Sequence, residues 1–287
     1  MDPCRSSPLR NGRGIVTSFL VFTVCAPHGA WGAASQSSAT TAYKASDLDP
    51  SKSALIGLIG AALGIGRSRL GALGDALFVH VRVVVRPTRD PRPDFHTVTR
   101  GAPPPGLSKW SRFEEVRGHL AGLINAGSML SRREYWTAGL WTVAVEPREP
   151  DGEWRPDILL RAFEAPRWTL HAGRRACPLG LPPDPEVIEA KTPRAALAVY
   201  GLPWTRKAGL SAALEWFEQS GARTAGELLL DGETGETRDP AGSGYVRLET
   251  RRDSPDPILL AGGRSLPRHR DRLQTRVPWI GSGEEGR

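Results

Sequence analysis

The residue types best suited to chemistry sit close together in residues 166–179, between Pro166 and Pro178: Trp168, His171, Gly173, Arg174, Arg175 and Cys177. Two adjacent guanidinium groups on a proline-pinned loop suit a phosphate backbone, because each offers a rigid fork of donors to paired oxygens. An aromatic side chain beside them suits a stacked base. Gly173 has no Cβ, so the backbone there can come close to a ligand. The bland alternative for Arg174 and Arg175 is surface salt bridging, which is worth little. His171 has the chemistry of a general base but no obvious partner in sequence. A hydrogen bond to a base or phosphate, or plain packing, is its expected role. Cys177 reads as a small buried hydrophobe.

Three further groups carry polar or aromatic chemistry. Ser51, Lys52 and Ser53 stand at the start of a helical pattern. Free backbone N–H groups, two hydroxyls and one cation make an anion site there, or else an ordinary cap with a solvated lysine. Trp31, Tyr43 and Lys44 lie in a long segment, 26–49, rich in Ser, Ala, Thr and Gly. Loop aromatics can stack bases, although a lone tryptophan such as Trp31 more often packs onto its own domain. Arg132 and Arg133 precede Tyr135 at a strand entrance. Neighbours on a strand point to opposite faces, so at most one of the two arginines serves a given groove. His96 lies in a proline-rich arm, where it is the weakest candidate.

These groups need elements to hold them. Residues 17–25 alternate as a buried strand, with Phe19, Val21, Thr23 and Cys25 on one side. The arginines before this apolar run also resemble a secretory signal. A helix is expected over 51–64, with Leu55, Ile59 and Leu63 as its core stripe. Strands are expected over 77–86, with Val79, Val81, Val83 and Val85 facing one way, and over 140–145. Residues 87–109 have no core-like periodicity and read as an extended hairpin or arm. Helices are expected over 156–165, over 195–200 from Thr192 and Pro193, and over 211–219. Strands are expected over 228–231, 245–250 and 258–261. The β-α-β order, an insertion and a further β-α suit an α+β, ferredoxin-like unit with an elaborated C-terminal half.

The chain has 287 residues, a formal net charge of +7, 39% hydrophobic and 24% charged residues. It can bury a sizeable core, and its basic balance favours a polyanionic partner. All but five of the 38 basic residues are arginine. The three cysteines, Cys4, Cys25 and Cys177, are too few and too scattered for a disulfide framework or a zinc site. The apolar stretches are too short to span a bilayer, so no membrane is expected; no cofactor is expected either.

Four blocks in order resemble the CasD family (Cas family five, type I-E) of the CRISPR Cascade complex, within the RAMP superfamily. They are Ala26 through Gly32 after an apolar strand, Pro50 through Ile65, Asp94 through Val98 together with Leu130 through Tyr135, and Pro166 through Leu179. The resemblance runs from about Ser18 to near Ile280 and decides the N-terminal run as a strand. It implies an RRM-like RAMP fold with a projecting β-hairpin thumb; the residues themselves read as a basic leader at 1–16 and a single domain at 17–287, with 87–130 as the thumb or arm insertion and 209–242 as an extra insertion that departs from the family. It implies a cytoplasmic, non-catalytic subunit that binds the 5′ handle of the CRISPR RNA beside the backbone subunit CasC and the large subunit CasA, meeting target DNA only through the complex. Trp31, Tyr43, Lys44, Ser51, Lys52, Ser53, His96, Arg132, Arg133, His171, Arg174 and Arg175 are then the expected RNA contacts. The rival is a metal-independent endoribonuclease drawing on His96, His171, Lys44 and Tyr43.

Overall fold

In the computed structural model of the chain, the described residues are 16–33, 43–101, 126–202, 206, 212, 215–217, 223–231, 247–255, 258–259, 265–266 and 269–279. The leader at 1–15 and most of 203–222 and 232–246 lie outside them. In chain order the elements are β1 (Thr17–Gly29), β2 (Tyr43–Lys44), α1 (Lys52–Leu63), a 3₁₀ turn (Arg67–Arg69), α2 (Leu70–Ala76), β3 (Leu77–Arg86), β4 (Thr88–Arg89), β5 (Asp94–Gly101) and β6 (Ala126–Arg133). There follow β7 (Trp136–Pro147), α3 (Pro156–Glu164), β8 (Glu186–Ala190), α4 (Pro193–Tyr200), β9 (Arg223–Asp231), β10 (Arg247–Pro255), β11 (Ile258–Leu259), β12 (Ser265–Leu266) and β13 (His269–Pro278).

An antiparallel sheet dominates, in the order β10-β13-β9-β3-β7-β1-β8, with β4 added to β7. Its centre is β1 on β7, in register from Leu20 opposite Val145 to Gly29 opposite Trp136. Both faces of β1 are covered, which is why its apolar run has no polar side. Phe22 and Val24 face the cluster formed with α1 and α3, through Leu55, Ile59, Leu159 and Phe163. Phe19 and Val21 face α4, through Ala196, Leu197 and Tyr200. The run is thus a buried strand, as expected, and it extends to Gly29.

Two irregularities decide which residues share a face. Strict alternation puts Trp136 and Trp141 on opposite sides of β7. Ala138 between them has φ 59, and both rings fall in one cluster, 5.0 Å apart. On β3 a bulge between Val83 and Val85 turns Val84 and Val85 into a third cluster, with Cys25, Ala138, Leu140 and Phe217, away from Val79, Val81 and Val83. The expectation that Val85 lines up with those three is corrected by that extra residue.

Helix α1 starts and stops for local reasons. Ser51 is its N-cap and accepts a hydrogen bond from Ala54 N at 3.2 Å. Gly64 ends it at φ 73, the left-handed conformation common at helix C-termini. Its last carbonyls are then taken from outside: Arg167 N donates to Ala62 O and Trp168 N to Ala61 O, at 2.9 and 3.0 Å. The arginine-bearing loop is therefore fastened at its entrance to the end of α1. Residues 223–231, within the segment expected as an insertion, form a full member of the central sheet between β3 and β13.

Lys52, next to the cap, is 4% exposed. Its Nζ lies 2.6 Å from Asp231 Oδ2 and donates to Leu77 O at 2.9 Å, joining α1 to β9 and β3. Removing one partner leaves the other charge buried and uncompensated. Lys52→Ala is expected to cost about 3–5 kcal/mol in urea unfolding, and Lys52→Met with Asp231→Leu to recover most of it. A single-variant loss below about 1 kcal/mol would remove this pair from the structural account.

Candidate nucleic-acid interface

A second, three-stranded sheet, β2-β6-β5, carries five of the candidates. Hairpin β5–β6 pairs Phe95 with Arg132, His96 with Ser131 and Asp94 with Arg133. β2 adds in parallel, setting Tyr43 beside Arg132 and Lys44 beside Arg133. Directly paired residues share a face, so the sheet has two chemically distinct sides. One presents Tyr43, Phe95, Leu130 and Arg132, with the Arg132 guanidinium 5.0 Å over the Phe95 ring. Phe95 is 61% and Leu130 58% exposed, which a core-facing sheet surface would not allow. The other presents Lys44, Arg133 and His96, whose Nε2 lies 2.8 Å from Asp94 Oδ2. An exposed aromatic face bearing a guanidinium is a stacking platform, worth about 1–3 kcal/mol per base.

The hairpin is fastened at its base. The Glu134 carboxylate accepts from the Tyr43 hydroxyl, from Ser46 N at 3.1 Å and from the Arg89 guanidinium. Burial pushes this carboxyl up, but those bonds and the Arg89 charge outweigh it and hold it below the ordinary carboxylate value. Next in the chain, Tyr135 stacks on His28 at 4.5 Å, and the Arg174 guanidinium lies 4.6 Å from the same ring. Hairpin and arginine loop therefore meet at Tyr135.

The loop itself is locked by backbone contacts. Ala172 N donates to Cys177 O at 2.8 Å, Cys177 N to Arg174 O at 2.9 Å, and Gly180 N to Cys25 O at 2.8 Å. Gly173 sits at φ 79, and a Cβ there would stand 1.9 Å from Ala30 O. Its close approach is thus to β1's exit and not to a ligand, which corrects the role expected for it. Arg175 is exposed and Arg174 half-buried, with its Nη1 enclosed and unpartnered. His171 Nδ1 is likewise enclosed and unpartnered. Burial first, then the Arg175 charge, lowers the His171 pKa against backbone hydrogen bonds that raise it, which favours the neutral ring. Cys177 is fully buried, as its setting before Pro178 suggested.

The remaining candidates stand elsewhere, and three need correction. Trp31 is 6% exposed and packs 5.4 Å from both Trp136 and Trp141, leaving no free face for a base. Lys52 is spent on Asp231, and Ser51, 2% exposed, on the helix cap. Ser53 is half-buried, its hydroxyl 3.1 Å from that of Ser51. The helix start is a structural joint rather than an open anion site. Phe95, Leu130, His28 and Glu134 were not among the candidates. Alternation along 94–97 and 130–133 was the available signal, but the pairing of these strands is set across residues 102–125 and is not written locally. Among the described residues no group of three His, Cys, Asp or Glu side chains could hold a metal ion, and no helix is long and apolar enough to cross a membrane.

Comparison with known proteins adds three findings. A family model described as CRISPR-associated protein (Cas_Cas5) matches residues 19–244. The CRISPR system Cascade subunit CasD of Escherichia coli (strain K12) is 30% identical over 186 residues, covering 64% of this chain and 77% of that protein. A solved structure described as a CRISPR RNA-guided surveillance complex is similar in fold, with a TM-score of 0.50 at 20% identity over 92% of this chain and 90% of that one.

The lowered His171 pKa has a sign. The unfolded chain binds this proton more readily, so the ring's contribution to stability is complete above its ordinary value near 6.5 and is lost as pH falls below it. The unfolding midpoint is expected to drop between about pH 7 and 5, and to drop less in His171→Gln. Parallel profiles for the two proteins would contradict this assignment.

Proposed function

The chain belongs to the Cas5 family of CRISPR-associated proteins, and on that premise we propose that it is a non-catalytic, cytoplasmic RNA-binding subunit of a type I-E Cascade complex. It holds the 5′ handle of the CRISPR RNA and caps one end of the backbone filament. The single observation that carries this reading is that Tyr135, in the link joining the aromatic and basic hairpin to β7, lies under the Arg174 guanidinium. Phosphates would lie along Arg132, Arg174 and Arg175, and unstacked bases against Phe95 and Tyr43. We read β1-α1-β3-β7-α3-β8 as a ferredoxin-like RAMP unit, supported by the spatial order β8-β1-β7-β3. Hairpin β5–β6, inserted between β3 and β7, is then its thumb. CasC and CasA are the neighbours that the family likeness suggests.

A second reading draws on one observation. His96 held by Asp94, on the face that also bears Lys44, has the composition of a metal-independent RNA-cleaving site. The two readings separate in one assay. Purified full chain is mixed with end-labelled repeat RNA in chelator, and retardation and cleavage are read on the same samples. Retention without cutting supports the handle-binding subunit, and cutting at one site transfers the chain to the nuclease class. Under the first reading, Arg174→Ala with Arg175→Ala weakens retention and lowers the slope of log affinity against log salt by about 1–2. An unchanged affinity and slope would sink the assignment.

A further inference from the structure

The most unexpected side chain at this surface is an acid. Glu134 follows Arg132 and Arg133 in the chain and pairs with Arg89, where a surface built only for polyanion attraction would carry no carboxylate. It occupies the two-residue link between β6 and β7, where the hairpin sheet leaves the central sheet. Its backbone N donates to Lys44 O at 2.9 Å, and the next carbonyl, on Tyr135, accepts from Asp90 N at 3.0 Å. Its carboxylate is tied to Tyr43 on β2, Ser46 on the following loop and Arg89 on β4. The Glu134 side chain is only 12% exposed, while its partners Arg89 and Tyr43 stand at 48% and 38%, so its value lies in joining three segments rather than in any single pair.

We propose that Glu134 is a positioning residue for nucleic-acid binding: it fixes the hairpin sheet against β4 and the loop after β2, and so presents Tyr43, Phe95 and Arg132 on one face. This rests on the RNA-binding reading above. It makes a prediction opposite in sign to simple electrostatics. Removing a negative charge from a basic surface should strengthen binding of a polyanion and steepen its salt dependence. Releasing the hairpin should weaken binding, because the ordering of the platform is then charged against the complex.

The test uses the full chain and the same repeat RNA, well below the lowest unfolding midpoint of the set. Wild type, Glu134→Gln, Tyr43→Phe and the double variant are compared. Glu134→Gln is expected to weaken binding about tenfold, and Tyr43→Phe, which keeps the ring and loses only the hydroxyl, by less. The double variant should be no weaker than Glu134→Gln alone, since both remove one shared joint. A general loss of stability would not produce that non-additivity. If Glu134→Gln fails to fold, Tyr43→Phe carries the test alone, and unchanged affinity there overturns the proposal. Equal or tighter binding by Glu134→Gln with wild type still binding overturns the positioning role only. No binding by wild type removes the RNA reading and this inference with it.

Discussion

The pairing of β1 with β7 is the constraint on which the rest of the molecule depends. The two strands run in register from Leu20 opposite Val145 to Gly29 opposite Trp136, between β3 and β8, and both faces of the pair are buried. A one-residue slip would turn every side chain of β1 to the wrong face, with Phe22 and Phe19 exchanging cores. Gly29 and Gly139 help to fix the match. The Trp136 ring occupies the place where a Gly29 Cβ would be, 2.2 Å away, and the Trp141 ring does the same at Gly139, 2.1 Å away. Two missing side chains thus make room for two of the largest rings in the protein.

That packing reaches the surface through short links. Trp136 is the first residue of β7, and immediately before it come Tyr135 and Glu134, which support the arginine loop and the hairpin sheet. Trp31 closes the cluster from the other strand and hands over to Ala30, whose N donates to Ala172 O at 3.2 Å. The surface groups are therefore anchored to the densest part of the core within a few residues. Rigid support of this kind limits the ordering entropy that a ligand must overcome.

Charge is used in two ways in this basic chain. Where arginine meets carboxylate inside the fold, it acts as a brace. Arg86 and Arg276 both join Asp49 to Glu227, and Lys52 joins α1 to β9 through Asp231. At the hairpin and the arginine loop, Arg89 braces the hairpin through Glu134, while Arg132 lies over Phe95 and Arg174 over Tyr135. A ring attracts a cation without neutralising it, so these charges stay available to an anionic ligand. The distinction was invisible in the net charge of +7.

Local chemistry was enough to read several elements from the sequence. The cap at Ser51 and the left-handed Gly64 bracket α1, Thr192 and Pro193 start α4, and alternating valines mark β3. These signals act within a few residues of chain, so they survive without knowledge of the fold. The ordered blocks of residues likewise pointed to the family. What only tertiary structure decided was partnership. Lys52 has the composition of an anion ligand, yet Asp231, far along the chain, claims it. Trp31 has the composition of a stacking platform, yet Trp136 and Trp141 enclose it. Phe95 and Arg132 become neighbours only when β5 meets β6. Residue type sets what a side chain is able to do. Which group stands within a few ångströms of it is set by sheet register and by the folding together of distant segments, and no local pattern encodes that.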